Sequence, residues 1–238
     1  MGSGRLYLIP NLLGAVPPSD VLPARTIAIA RALRHFVVET PKLARQFIKS
    51  LEPESPLQSM SFNVLDEHTS PQHVGALLAP ARDGHDVGLV SDAGCPAVAD
   101  PGALLVAAAH REHIAVIPLV GPSAILLALM ASGLDGQNFC FHGYLPVKPD
   151  ARAVALKALD DAVLRTGHTQ IFIETPYRND AIVAQAIEVC RAETVLCVAC
   201  ELTTSAETIL SRPVREWRRT PPPTLARRPT LFLLGRGK

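Results

Sequence analysis

The feature that most constrains this chain is a repeated alternation. Short apolar runs rich in Val, Ile, Leu and Phe are separated by longer segments of helical pattern along most of its length. The strand candidates of the first half are Leu6–Ile9, Phe36–Val38, Ser61–Val64, Val87–Val90 and Ala115–Ile117. Those of the second half are Phe139–Phe141, Gln170–Ile173, Thr194–Ala199, Glu207–Leu210 and Thr230–Leu234. Helices are expected at Pro23–Leu33, Pro71–Ala81, Ala103–Arg111, Ser123–Ser132, Ala151–Arg165 and Asn179–Cys190. Strands alternating with helices specify open, mostly parallel sheets. Ten strands are too many for one ordinary sheet, and a division near residue 120 gives two sheets of the usual size, about five strands each. The expectation is therefore two open α/β/α domains, 1–120 and 121–238, with Ser123–Ser132 bridging them. The first sheet should be mostly parallel. The second should be mixed, because its last two strands follow one another with little helix between.

Composition narrows the function classes. Of 238 residues, 48% are hydrophobic and 19% charged, with a net charge of +1, so the chain as a whole is neither disordered nor a polycation built for nucleic acid. The longest apolar stretch, 116–130, is interrupted by Pro118, Gly121 and Pro122 and cannot form a membrane-spanning helix. The amino-terminal residues lack the pattern of a cleaved signal, and five irregularly spaced cysteines read as reduced thiols, so a cytoplasmic location is expected. Cys197 and Cys200 lie on one strand candidate, where residues three apart face opposite sides. They read as small buried hydrophobes, and no metal-ligand pattern is present.

One device occurs twice. Phe36–Pro41 and Phe172–Pro176 both run strand, Glu, Thr, Pro, helix. Threonine is expected to cap the helix, proline to fill its first turn, and Glu39 and Glu174 to be left at the carboxyl ends of strands, where open α/β sheets hold ligands. The most informative segment is Ser91-Asp-Ala-Gly-Cys-Pro-Ala-Val-Ala-Asp-Pro-Gly102, which leaves an apolar strand and enters a helix. Gly94 and Gly102 permit positive φ or close backbone approach, the prolines stiffen the path, and Asp92 and Asp100 offer acceptors to a ligand. A second loop, Pro118–Ala124, follows the next strand, with Ser123 before an apolar helix. Neither segment is a dinucleotide fingerprint or a P-loop.

These two segments resemble the tetrapyrrole methylase family, and within it the branch that 2′-O-methylates cytidine of small-subunit ribosomal RNA. Leu6–Pro10, Phe139–Pro146, Phe172–Arg178 and Glu201–Thr203 extend the resemblance along the chain in order. The chain departs from that branch after its first strand, at Asn11–Pro17, after its second, at Glu39–Lys42, and at Thr204, so it reads as a diverged paralogue. The resemblance implies a homodimer with S-adenosylmethionine in a cleft between the domains. By position, the cofactor contacts fall on Leu12, Asp92, Ala93, Gly94, Cys95, Val98, Ser123 and Ala124, with Glu174 and Leu202 contributed by the second domain.

Methyl transfer to a ribose hydroxyl needs alignment, exclusion of water and a base. Glu39, Glu174 and Glu201 are the candidate bases, ahead of the lone histidines His68 and His142, and Arg178 is placed to pair with Glu174. Between Arg212 and Lys238 there are eight basic residues against Glu216 alone. This stretch reads either as an edge for an RNA backbone or as a solvated face. The acceptor stays open at this point: RNA, or a small molecule or protein as in other branches. A non-catalytic S-adenosylmethionine sensor is the further alternative.

Overall fold

The computed structural model describes residues 2–220 and 222–237. The chain divides into two compact units, Met1–Ser123 and Ala124–Lys238.

The first unit is built on five strands: β1 (Leu6–Leu8), β2 (His35–Val38), β3 (Ser61–Val64), β4 (Val87–Val90) and β5 (Val116–Pro118). Their order is β3-β2-β4-β1-β5 and every pairing is parallel. Such a sheet must be covered on both faces, and it is. Helices Ala24–Ala32 and Pro41–Ser50 bury Ala30, Ala44, Phe47 and Ile48 with Phe36 and Val38 on one side. Helix Gly102–Arg111 and the 71–82 segment bury Leu78, Ala81, Leu105 and Ala109 with Val37 and Leu89 on the other. The segment expected as one helix over 71–81 is instead broken into Pro71–Val74, a 3₁₀ turn at Gly75–Leu78, and Ala79–Arg82. Gly75 weakens the pattern, and Pro80 has no amide to continue the ladder.

The second unit holds β6 (Phe139–Tyr144), β7 (Thr169–Ile173), β8 (Thr194–Cys200), β9 (Thr208–Pro213) and β10 (Thr230–Arg236), in the order β6-β7-β10-β8-β9. Only β6 and β7 run parallel. β10 is antiparallel to both β7 and β8, and β8 to β9. One face is sealed by helices Pro149–Thr166 and Asn179–Val189, which bury Leu156, Val163, Ile182 and Ala186 against Phe172, Leu196 and Phe232. Helix Ala124–Ser132 packs on β8, β9 and β10 from the other face. Trp217 closes the core with its indole N–H donated to the Leu196 carbonyl at 3.0 Å. Cys197 and Cys200 are both fully buried on β8, and burial pushes the Cys197 thiol up to about 12. No helix among the described residues is long and apolar enough to cross a membrane.

Candidate functional site

Strand order decides which loops meet. β4, β1 and β5 are neighbours running the same way, so the segments after them, 91–102, 11–14 and 119–123, emerge side by side at one carboxyl edge. That edge is where open α/β sheets place ligands.

Asn11 ties the first loop to the second. Its amide nitrogen donates to the carbonyls of Ser91 at 2.9 Å and Asp92 at 3.1 Å. Its backbone N–H donates to Gly94 O at 2.9 Å, and its side-chain oxygen accepts from Leu12 N at 2.8 Å. Asn11 is only 6% exposed, and its bond to the Ser91 carbonyl is buried. The sequence reading assigned this residue no role. An asparagine directly after Pro10 at a strand end was the available signal. The third loop joins through Cys95, whose Sγ lies 3.5 Å from Pro122 O, and through Thr26, whose hydroxyl donates to Val120 O at 2.8 Å. Burial raises the Cys95 thiol above its ordinary range, so it stays protonated at neutral pH.

The 91–102 loop is held in an uncommon path. Gly94 takes a φ of 68°, as its lack of a side chain allows, but Ala97 and Ala99 also adopt positive values, 67° and 63°. A non-glycine residue there is strained and persists only where its surroundings hold it. Asp100 is the holder: Oδ1 accepts from Ala97 N at 3.0 Å and from Gly102 N at 2.7 Å. Gly102 is required for a different reason than Gly94. A Cβ there would lie 2.7 Å from Asp100 Oδ1 and 2.9 Å from Leu89 Cδ2. The resulting crest presents Ala93 and Val98 to solvent, with Leu12 half-buried beside them.

The acidic residues sort by partner. Asp92 is taken up internally, its two oxygens accepting from Thr40 N at 3.1 Å and Thr40 Oγ1 at 2.7 Å. That corrects the expected helix cap. The Thr40 hydroxyl makes no capping bond because it donates to a carboxylate, the stronger partner, and it clamps the end of β2 to the end of β4. Thr175 behaves alike, donating to Glu174 Oε1 at 3.1 Å, while Pro41 and Pro176 do occupy first-turn positions. Burial, then the negative charge of Asp92, raises the Glu39 carboxyl above its usual range, partly offset by the Asp92 amide. Asp100 is raised by burial, opposed by the Gly102, Ala97 and Val98 amides. The gap lined by Glu39, Ser91, Asp100 and Gly102 is only about 10 Å³, the size of one water at most.

In the second unit, β7 and β8 both run opposite to β10, so Glu174 and Glu201 leave their strands at a common edge. The Glu174 side chain is fully buried. Its Oε1 accepts from Arg178 Nη2 at 2.5 Å, while Oε2 has no partner among the described residues. Glu201, at a φ of 50°, accepts from Arg228 Nη2 at 2.9 Å, and Leu202 next to it is buried. Ser123 and Ala124 are half-buried at the junction of the chain's two units. His68 is exposed beside Glu67, and His142 bonds Gln170 at 2.8 Å.

The basic run from Arg212 is largely used up within its own unit. Arg215 pairs with Glu193. Arg218 donates to the carbonyls of Ile187 at 3.0 Å and Cys190 at 2.8 Å, at the end of a helix. Arg236 donates to Leu164 O at 3.1 Å, and Arg212 lies over the Trp217 ring. Lys238 lies outside the described residues.

Glycine- and proline-shaped loops after three adjacent parallel strands place the chain among open α/β proteins that receive small ligands at the carboxyl edge of the sheet. The profile of the family described as Tetrapyrrole (Corrin/Porphyrin) Methylases matches residues 20–217, and the chain belongs to that family. It is similar to the Ribosomal RNA small subunit methyltransferase I of Micromonospora olivasterospora, 39% identical over 183 residues, covering 77% of this chain but only 55% of that protein. The protein of the same name from Escherichia coli O157:H7 is 32% identical over 213 residues, 90% of this chain and 70% of its own. Among solved structures, the methyltransferase CobJ aligns over 99% of this chain and 95% of its own, with a TM-score of 0.62 at 23% identity. Uroporphyrin III C-methyltransferase from Thermus thermophilus aligns over 98% and 97%, with a TM-score of 0.55 at 17% identity. These two likenesses establish the fold.

Proposed function

We propose that the chain is an S-adenosylmethionine-dependent methyltransferase that acts on small-subunit ribosomal RNA at a ribose 2′-hydroxyl. The observation that carries the reading is the interlocked edge of the first sheet, where Asn11 and Cys95 join three loops and Asp100 holds the middle one in a strained path. Such a crest suits the flat nucleoside of the donor, since the exposed residues of the 91–102 loop, Ala93, Val98 and Ala99, carry only small apolar side chains. The relatives' names supply the acceptor.

Leu12, Ala93, Gly94, Cys95, Val98, Ser123 and Ala124 hold the donor by backbone and apolar contact in this reading. Asp92 serves by fixing the loop through Thr40. Glu174, with one buried oxygen lacking a donor among the described residues, and Leu202 are the contacts proposed from the second unit. The donor supplies an electrophilic methyl group, so the chain needs only to align the acceptor, keep water away and take one proton. Of the three candidate bases, Glu39 fits best. Glu174 and Glu201 are each committed to an arginine, whereas Glu39 makes no ion pair among the described residues and its raised pKa brings it closer to the pH at which a base works well. A cytoplasmic homodimer belongs to the same reading, and light scattering tests the dimer.

The test is transfer of labelled methyl from S-adenosylmethionine to small ribosomal subunits from a strain lacking the enzyme, followed by nucleoside mass spectrometry. A single 2′-O-methylated nucleoside is expected. Label in no ribosomal nucleoside would refute the acceptor assignment.

A further inference from the structure

The first unit carries a second cavity, at the edge of its sheet opposite the ligand loops, and no step of the proposed reaction uses it. Its volume is about 440 Å³, inside the range of roughly 300–1,000 Å³ typical of small-molecule sites. Strand beginnings build one wall: His35 opens β2, Arg5 directly precedes β1, and His85 and Asp86 directly precede β4. Helix Ala24–Ala32 builds the other, where Ala28 and Ala32 stand one turn apart and present only methyl groups. The space exists because these two residues are small, and the result is a flat apolar shelf facing two imidazoles.

The polar groups around the shelf are unevenly satisfied. Arg5 grips Asp86 with two hydrogen bonds, 2.8 and 3.2 Å, so their charges cancel. The His35 ring is fixed by a 3.0 Å bond from Nδ1 to Ser61 Oγ and lies 5.3 Å from the His85 ring, tilted by 40°. Burial, then His85 and Arg34, hold His35 below its ordinary range, which leaves it a neutral, stackable ring at pH 7. Arg34 is exposed. Its Nε donates to Ser55 Oγ at 3.1 Å, and its terminal nitrogens have no partner among the described residues. The carboxyl end of helix Ala24–Ala32 adds about half a negative charge at the shelf, which favours a ligand with N–H donors there but does not cancel a full guanidinium.

An apolar wall of small side chains, two imidazole rings, acceptors at the helix end and one guanidinium without a partner among the described residues describe complementarity to a base carrying a phosphate. We propose that this cavity binds a nucleotide. Its base lies between the Ala28–Ala32 shelf and the His35–His85 pair, and its phosphate meets Arg34. The nucleotide comes either free, as a nucleoside monophosphate, or as one unit of an RNA strand. The site does not depend on the methyl-donor reading.

The test is calorimetric titration of the full chain with AMP, GMP, CMP, UMP and inorganic phosphate, with excess S-adenosylhomocysteine present to keep nucleotides out of any donor site. At least one mononucleotide should bind with a dissociation constant below about 1 mM and about tenfold or more tighter than phosphate. Arg34→Ala and His85→Ala, both at exposed positions, should each weaken it about tenfold while leaving S-adenosylhomocysteine affinity unchanged. The His35 and His85 ring resonances should shift on nucleotide binding and stay in place with inorganic phosphate alone, since only a base covers the rings. A tetranucleotide of the preferred base that binds more than about tenfold tighter identifies RNA as the source; equal or weaker binding identifies the free nucleotide. No nucleotide binding, binding no tighter than phosphate, or binding unchanged in both variants would overturn the proposal.

Discussion

Asn11→Ala tests how the candidate site is held together. The substitution deletes two donors to the Ser91 and Asp92 carbonyls and one acceptor for the Leu12 amide. Each such bond is worth about 1 kcal/mol net, and a buried carbonyl left without a partner loses more, so about 2–4 kcal/mol of stability should go. That is a large part of a typical total of roughly 5–15 kcal/mol. Asn11→Asp is the sharper control. It keeps the acceptor for Leu12 but points a carboxylate at two carbonyls, so it should cost more than alanine at neutral pH. The folded state would raise the pKa of the new carboxyl. The folded protein then binds more protons than the unfolded chain, stability falls as pH rises through that window, and acid restores part of it. Urea unfolding at several pH values gives the stabilities. Titration with S-adenosylhomocysteine should show affinity reduced about tenfold or more in both variants, from loss of loop order. If Asn11→Ala stays within about 0.5 kcal/mol of the parent and binds equally well, the loops are not fixed as argued.

Three further outcomes follow from the same geometry. Glu39 has a raised folded pKa, so its ionisation destabilises the fold as pH climbs out of the usual carboxylate range. Glu39→Gln should remove that slope in unfolding curves, and it should lower methyl transfer about 10²–10⁴-fold if Glu39 is the base, with donor affinity retained. Arg178→Ala strands the buried Glu174 carboxylate and should cost about 3–5 kcal/mol, whereas adding Glu174→Gln should recover much of the loss; urea unfolding of both variants decides it. Gly102→Ala forces a methyl group against Asp100, Leu89 and Ala97, and should cost about 1–3 kcal/mol in the same assay without changing secondary structure by circular dichroism.

The architecture was legible because both sheets announce themselves through short strands rich in Val, Ile, Leu and Phe between helical segments. Ser61–Val64 and Val87–Val90 were delimited from sequence as the structure has them. The strand order was not legible. Placing β4 between β2 and β1 depends on long-range pairing that no local pattern encodes. Around the site, glycine and proline marked the 91–102 loop, but Ala97 and Ala99 give no sign of their left-handed backbone, which Asp100 holds at Ala97 by accepting its amide. Thr40 was misread for a related reason: an N-terminal threonine usually caps its own helix, and only the fold brings Asp92 close enough to compete. The basic tail was ambiguous because sequence counts charges without showing that Arg215, Arg218, Arg228 and Arg236 are already engaged.

The central claim is that the three loops after β4, β1 and β5 receive the methyl donor. Hydrogen exchange measured with and without S-adenosylmethionine tests it most directly. The account predicts slowed exchange in 11–14, 91–102 and 119–124, with the opposite edge of the first sheet around His35 and His85 unaffected. Binding that protects other segments and leaves 91–102 unchanged, or no binding at all, would contradict it.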